Sequence, residues 1–295
     1  MKAVGIVVKP RQGALSELVR QLTVWCDLNA LPYFFDHEVA SELGIGDTSK
    51  ILPREQITTR CDPVVVLGGD GTLISVCRYP ADPAPMIIGV NAGTLGFLTE
   101  ITIEELFPTL ESVKAGTIVT ESRSMLQAEV SRQGVTLARY TALNDIVISK
   151  EALARMFTVR LDVSGQHAAL LRGDGVIVAT PGGSTAYSLS AGGSIVHPQV
   201  KAMLVTPICP HSLTSRPLVL TSESLVRLTI NGRARPSQSE VYLTIDGQDG
   251  MGLQNGDVVT VATSPHTVKF VKSPSKNYFE VLATKLQWAT TTIAP

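Results

Sequence analysis

Residues 64–72 constrain this chain more than any other stretch: Val64, Val65, Val66 and Leu67 run straight into Gly68-Gly69-Asp70-Gly71-Thr72. An apolar run with three β-branched members predicts a strand buried in a parallel sheet. The glycines after it let the backbone turn sharply and approach a ligand without interference from a Cβ. Thr72 is placed to cap a helix through Leu73–Tyr79, and the first N–H groups of such a helix attract an anion. A carboxylate among glycines suited to phosphate repels that phosphate, unless it binds a metal ion or takes a proton from a nucleophile. The combination points to phosphoryl transfer. Asp-Gly after a strand is also an ordinary turn, so this run alone leaves turn and site both open.

The neighbouring pattern fits an α/β domain. Strand-like runs occur at Ala3–Val8, Tyr33–Asp36, Val64–Leu67 and Met86–Val90, with helix-like stretches at Ala14–Leu28 and Leu73–Tyr79. This alternation predicts a Rossmann-like parallel sheet with crossover helices. Thr102 and Glu105 have capping-box spacing and predict a helix of about 12 residues, which Pro108 would kink or interrupt. Past Thr120 the texture changes to closely spaced β runs: Met125–Ser131, Val135–Lys150, Phe157–Val163, Val176–Ala179, Ala202–Thr206, Leu225–Asn231, Val241–Ile245 and Val258–Thr263. Gly134 and Ser164-Gly165 are turn residues between them. So many strands predict an all-β, sandwich-like second domain. A short helix is expected near Thr185–Ala191, and Tyr278–Trp288 returns to helical spacing, suited to docking back on the first domain. The expected divisions are 1–120, 121–272 and 273–295.

Bulk properties narrow the function. With 25 Lys+Arg against 26 Asp+Glu among 295 residues, the chain has no general basic character for nucleic acid, so any basic site is local. No uncharged apolar run approaches membrane-spanning length, and the N-terminal apolar stretch is too short for a signal peptide. A cytoplasmic, soluble protein is expected. Cys26, Cys61, Cys77 and Cys209 form no Cys-x-x-Cys pair and read as buried thiols. The histidines show no metal-ligand spacing, and no metal ligand is assigned.

Two further elements accompany the Gly-Gly-Asp-Gly run. Asn91-Ala92-Gly93-Thr94-Leu95-Gly96-Phe97-Leu98 follows a strand directly, as a second glycine-containing loop at a sheet's carboxyl edge. Phe97 suits stacking on a base or plugging a core. Arg172-Gly173-Asp174-Gly175, a strand, and Thr180–Gly193 form the other, with Ser184 or Thr185 fitting an N-cap. Hydroxyls at Ser184, Thr185, Tyr187, Ser188 and Ser190 supply donors to phosphate or ribose. Asn144-Asp145 and Asp246-Gly247-Gln248 read as turns or as site residues. There is no Gly-Lys dipeptide and hence no Walker loop, and no Gly-x-Gly-x-x-Gly, Gly-x-Ser-x-Gly or His-Glu-x-x-His motif appears.

With these elements in this order, nearly the whole chain resembles the NAD kinases of bacterial type, which phosphorylate the 2′-hydroxyl of the adenosine ribose of NAD to give NADP. Gly-Gly-Asp-Gly-Thr is shared with lipid kinases; the Gly-Ser-Thr-Ala-Tyr element joined to Ser-Ala-Gly-Gly is far more specific. The resemblance implies Asp70 as the catalytic carboxylate, accepting the hydroxyl proton or helping to hold Mg²⁺. It implies that Gly68, Gly69 and Thr72 shape the site for the ATP phosphates, with Gly71 beside the substrate. Phe97 would pack on adenine, Asn144 and Asp145 would hold adenine and ribose groups, and Asp174 the nicotinamide amide. Arg172, Thr185, Ala186, Tyr187, Ser190 and Gln248 would complete the dinucleotide site.

Two positions depart from the family pattern. Asp145 stands where the family usually has Glu, one methylene shorter. Gly182 stands where it tends to have Thr. The resemblance further implies ATP with Mg²⁺ or another divalent ion, and a homodimer or homotetramer. The charge balance and the lack of a membrane-length apolar run predict no nucleic-acid or membrane partner, and the site is expected in the cleft between domains. A lipid kinase and a non-catalytic NAD(P)-binding regulator are the rival readings. The first would need a long apolar pocket or a membrane-facing surface, and the second would lack a working carboxylate.

Overall fold

Val64–Leu67 form a fully buried strand, and the sheet built around it is parallel as its composition requires. The computed structural model describes residues 1–9, 15–93, 96–151, 156–231 and 241–288, without the side chains of residues 41 and 42. The chain divides into two units, Met1–Ser122 with Val268–Pro295, and Arg123–Thr267.

The first unit runs β1 (Val4–Val8), α1 (Ser16–Leu28), β2 (Tyr33–Asp36), α2 (His37–Glu42), β3 (Ile51–Leu52), α3 (Arg54–Arg60), β4 (Val64–Gly68), α4 (Asp70–Cys77), β5 (Met86–Asn91) and α5 (Leu106–Ala115). Its strands lie in the order β5-β4-β1-β2-β3, every pair parallel. Val4, Ile6, Val65, Leu67, Ile88 and Val90 meet Leu18, Leu22, Leu106 and Leu110 in one core. Each such side chain contributes roughly 1.5–3 kcal/mol by leaving water. The order reverses between β1 and β4. Ligands of open α/β sheets bind outside the carboxyl ends of strands at such a reversal, and Gly68–Thr72 leaves β4 there.

The second unit is antiparallel. Its elements are β6 (Thr120–Arg132), β7 (Val135–Ala142), β8 (Asp145–Lys150), β9 (Phe157–Val163), β10 (Gln166–Gly173), β11 (Gly175–Ala179), α6 (Tyr187–Ser190), β12 (Ala202–Ile208), β13 (Leu218–Thr221), β14 (Val226–Asn231), β15 (Val241–Ile245), β16 (Asp249–Leu253) and β17 (Val258–Val271). One sheet is ordered β13-β12-β11-β8-β15-β16, and the other includes β10-β9-β14-β17. Ile146, Ile148, Val176, Val178 and Leu243 of the first pack with Leu161, Leu228 and Val259 of the second, the sandwich core expected from the sequence. The other face of β11 and β12 carries Ile177, Ala179 and Leu204, covered by Ala191 and Val196. The Thr180–Gly193 element therefore lies over this outer face.

Strand β6 begins in the first unit and β17 ends there. Lys269 and Phe270 of β17 pair in parallel with Met86 and Ile87. The final helix, α7 (Tyr278–Leu286), belongs to the first unit. Asn277 and Glu280 close a capping box at its start.

Several local expectations need correction. Helix α4 begins at Asp70 with Gly69 as its N-cap, so Thr72 sits inside the first turn and caps nothing. The segment 182–190 is a 3-10 turn (Gly182–Thr185) followed by the four-residue α6, separated by Ala186 at φ −93°, ψ −135°; neither Ser184 nor Thr185 is an N-cap. Pro108 lies in the first turn of α5, where its missing N–H costs little, and the helix is ten residues long. The Thr102–Glu105 box forms one turn earlier. The β run 135–150 is two strands. Cys26, Cys61 and Cys77 are buried, but Cys209 is exposed just past the end of β12, at φ 43°.

Candidate active site

In the first unit, β4 delivers Gly68–Thr72 at the carboxyl edge, and the following strand delivers a second loop beside it. The Ala92 N–H donates to the Gly68 carbonyl at 3.2 Å. The Asn91 side chain holds its own loop, accepting from the Gly93 N–H at 2.7 Å. Asp70 joins the two loops. Its Oδ1 accepts from the Leu98 N–H (3.1 Å), the Thr99 N–H (3.0 Å) and the Thr99 hydroxyl (3.0 Å). Its Oδ2 accepts from the Phe97 N–H at 2.8 Å. A carboxylate has about four lone-pair sites, two on each oxygen. Oδ1 is thus fully engaged, whereas Oδ2 has one acceptor site unused among the described residues.

Gly96 is required for this arrangement. A Cβ there would stand 2.0 Å from Asp70 Oδ1 and 2.4 Å from Thr99 Oγ1. The structure therefore brings together Gly68, Gly69, Asp70, Gly71, Thr72 and the backbone of Phe97. Thr72 places its hydroxyl against Gly68, where a Cβ would be 2.8 Å away. Phe97 is half-buried, so it is not a core plug. Thr94 and Leu95 lie outside the described residues.

In the second unit, the entry to β8 is pinned from below by Asp246, a residue the sequence leaves open as turn or site. Asp246 ends β15 in a turn where it and Gly247 both have positive φ, 50° and 67°. Its carboxylate accepts from three consecutive N–H groups, Leu143 (2.8 Å), Asn144 (2.7 Å) and Asp145 (2.9 Å). Above, the glycine-hydroxyl element closes on the same turn. The Thr180 hydroxyl donates to the Leu143 carbonyl at 2.7 Å and accepts from the Gly183 N–H at 2.9 Å. A Cβ on Gly183 would stand 2.1 Å from the Asn144 carbonyl oxygen.

Asp145 is 4% exposed. Burial and the nearby Asp246 carboxylate push its carboxyl up to about 7, opposed by a hydrogen bond from the Tyr187 N–H. Asn144, Asp145, Tyr187 and the Gln248 turn thus come together, with Thr185 and Ala186 immediately before Tyr187 and Ser190 at the end of α6. Tyr187 and Ser190 are exposed. Arg172 and Asp174 do not join this group. Asp174 lies 3.8 Å from Lys150 at the far end of the β8–β11 pair. At a strand rise of roughly 3.3 Å, that is about 15 Å from Asp145.

Residues 4–118 match the profile of the ATP-NAD kinase N-terminal domain, and residues 143–273 that of the ATP-NAD kinase C-terminal domain. The chain belongs to the NAD kinase family. It is 46% identical over 292 residues to an NAD kinase of Geobacter sulfurreducens, covering 98% of this chain and 99% of that one. With an NAD kinase of Trichlorobacter lovleyi the identity is 44% over 292 residues, with the same shares covered. Among solved structures, a yeast NADH kinase in complex with NADH superposes with a TM-score of 0.88 at 28% identity, over 99% of this chain and 89% of that one. An NAD kinase from Archaeoglobus fulgidus in complex with ATP has the same fold, with a TM-score of 0.73 at 24% identity over 96% and 98%.

The two departures from the family's usual residues have different structural weight. At Gly182 a Cβ would meet Thr180 Oγ1 at 3.5 Å and Arg123 at 3.7 Å, ordinary contacts. A Cβ is accommodated there, so close packing does not itself demand glycine. At 145 the shorter Asp is buried beside Asp246. No group of three or more Asp, Glu, His or Cys side chains able to hold a metal ion occurs among the described residues. No helix among them is long and apolar enough to cross a membrane.

Proposed function

We propose that this chain transfers the γ-phosphoryl group of ATP to the 2′-hydroxyl of the adenosine ribose of NAD, with Asp70 as the catalytic carboxylate. The observation that carries the reading is the state of Asp70: among the described residues four donors fix its plane and leave one acceptor site on Oδ2. The ribose hydroxyl donates to that oxygen. As the 2′-oxygen forms its bond to the γ-phosphorus, the bond from that phosphorus to the β,γ-bridging oxygen breaks. The hydroxyl proton passes to Asp70 and ADP leaves. Such a transfer asks the protein mainly for positioning and charge neutralisation.

Gly68, Gly69 and Thr72, at the open start of α4, suit the donor phosphates, and Gly71 the approach of substrate. Phe97, half-buried beside Asp70, suits an adenine ring. In the second unit Asn144 and Asp145 take adenine and ribose polar groups, Gln248 and the 185–190 segment line the dinucleotide, and Arg172 and Asp174 serve its nicotinamide end.

A divalent ion such as Mg²⁺ fits the donor set as a companion of the triphosphate rather than of a protein cage. Mg²⁺ usually keeps several waters and rests on substrate phosphates with few protein ligands; with the remaining site on Asp70 Oδ2 given to the ribose hydroxyl, the ion would rest on the phosphates and water. When bound, the ion neutralises charge on the phosphates. A cytoplasmic homodimer or homotetramer completes the proposal.

The test is to incubate purified protein with NAD, ATP and Mg²⁺ and to measure NADP. NADP formation that needs Asp70 supports the reading. NAD binding without turnover would favour a regulator, and phosphorylation of a lipid alone would favour a lipid kinase.

A further inference from the structure

Asp246 is absent from the residues assigned to substrate above, yet it touches the backbone of two of them. We propose that Asp246 is a positioning residue for NAD recognition: its carboxylate fixes the 143–145 backbone and stands beside the buried Asp145 carboxyl, so that NAD affinity rises with pH across neutrality. The inference rests on the reading of Asp145 as a ribose contact.

The geometry supplies both halves. Three N–H groups between 2.7 and 2.9 Å from one carboxylate leave the turn before β8 no freedom to rotate. The Asp246 N–H returns a fourth bond to the Asp145 carbonyl at 2.9 Å, locking the two residues to each other. Asp145 itself is buried, and among the described residues the charged group acting on it is Asp246. Asp246 faces it from the β15–β16 turn, and α6 contributes the Tyr187 N–H. Ala179 of β11 lies opposite it in the sheet.

A buried carboxyl beside a second carboxylate resists ionisation on two grounds, desolvation and like charge. Three N–H donors stabilise charge on the Asp246 carboxylate. The pair therefore shares its protons unequally, with Asp145 the partner that stays protonated toward neutral pH. A ribose hydroxyl donates more strongly to a carboxylate than to a carboxylic acid. NAD binding accordingly strengthens as Asp145 loses its proton.

The test is a carbon-13 NMR titration of the aspartate-labelled full chain, with the Asp145 carboxyl assigned by its loss in Asp145→Asn. NAD affinity is measured in parallel without ATP. In the unsubstituted protein the Asp145 signal and the NAD affinity should both turn near pH 7. In Asp246→Asn both inflections should move down by about one unit or more, which a merely structural loss would not do. If Asp246→Asn fails to fold, Asp246→Ser, a smaller neutral acceptor for the same N–H groups, takes its place. An Asp145 carboxyl that titrates in the ordinary carboxylate range, or that titrates identically once Asp246 is neutral, overturns the proposal. A carboxyl that behaves as expected beside an NAD affinity flat in pH leaves the Asp246–Asp145 coupling standing, and refutes instead the ribose contact on which the functional half rests.

Discussion

Replacing Gly96 by alanine tests how the candidate catalytic group is held. The added methyl would lie 2.0 Å from Asp70 Oδ1, 2.7 Å from Asp70 Cγ and 2.4 Å from Thr99 Oγ1. Real Cβ atoms essentially never approach other atoms closer than 3.0 Å, so Oδ1 must retreat by about 1 Å. The hydrogen bonds it accepts, at 3.0–3.1 Å, would stretch beyond useful length. Hydrogen bonds to a charged group are worth about 1.5–3 kcal/mol each, and solvent recovers part of that for a half-exposed group. Loss of all three, partly offset in this way, predicts destabilisation of about 3–6 kcal/mol, visible as a lowered midpoint in thermal or urea unfolding. A 1 Å displacement of a catalytic group costs about 100-fold in rate. Gly96→Ala should therefore lower kcat for NADP formation by about two orders of magnitude, with NAD binding reduced much less, since Asn144 and Asp145 are untouched. A variant with normal kcat and a normal melting point would refute the claim that the four-donor grip on Asp70 matters.

Two further outcomes follow from the second unit. Gly183→Ala places a methyl 2.1 Å from a backbone carbonyl that cannot swing aside; it should cost about 1–3 kcal/mol of stability and weaken NAD binding in a direct titration while leaving Gly68–Thr72 intact. Asp145→Asn should separate stability from function. A carboxyl raised to about 7 when folded keeps its proton while the unfolded chain has lost it, so stability falls as pH climbs from about 4 to about 7. The variant carries no such penalty. Above pH 7 it should unfold at a higher temperature than the unsubstituted chain, by an amount equivalent to roughly 2–4 kcal/mol, while binding NAD more weakly; equal pH dependence of the two melting points would contradict the assignment.

Periodicity and turn chemistry carried most of the architecture. The runs at Tyr33–Asp36 and Phe157–Val163 are strands with those bounds, and the Ser164-Gly165 turn is a hairpin with φ of 48° and 82°. What escaped was decided by tertiary contacts. Helices α2 and α3 and the two-residue β3 lie in a stretch without clear helical or strand spacing, and Asp36 with Arg54 ties them together there. Thr72 looked like a cap because hydroxyls usually are; instead the helix starts one turn earlier, around Asp70, whose carboxylate reaches a loop 27 to 29 residues ahead.

The site showed the same division. Asp70 was legible from its company of glycines. The role of Asp246 was not, since its three N–H partners lie about 100 residues away in sequence, and an Asp-Gly pair after a strand is an ordinary turn signal. Cys209 was misjudged because a thiol is usually buried, and nothing local marks the left-handed turn that exposes it.

The most direct measurement is NADP formation by Asp70→Asn beside the unsubstituted protein, at saturating NAD, ATP and Mg²⁺. The amide oxygen can replace Oδ1 toward Leu98 and Thr99 while the bond from the Phe97 N–H is lost, so the fold should persist at somewhat lower stability and NAD should still bind. Without the Oδ2 base, kcat should fall by about 100- to 10,000-fold. Turnover by a folded Asp70→Asn protein at the unsubstituted rate would contradict the account.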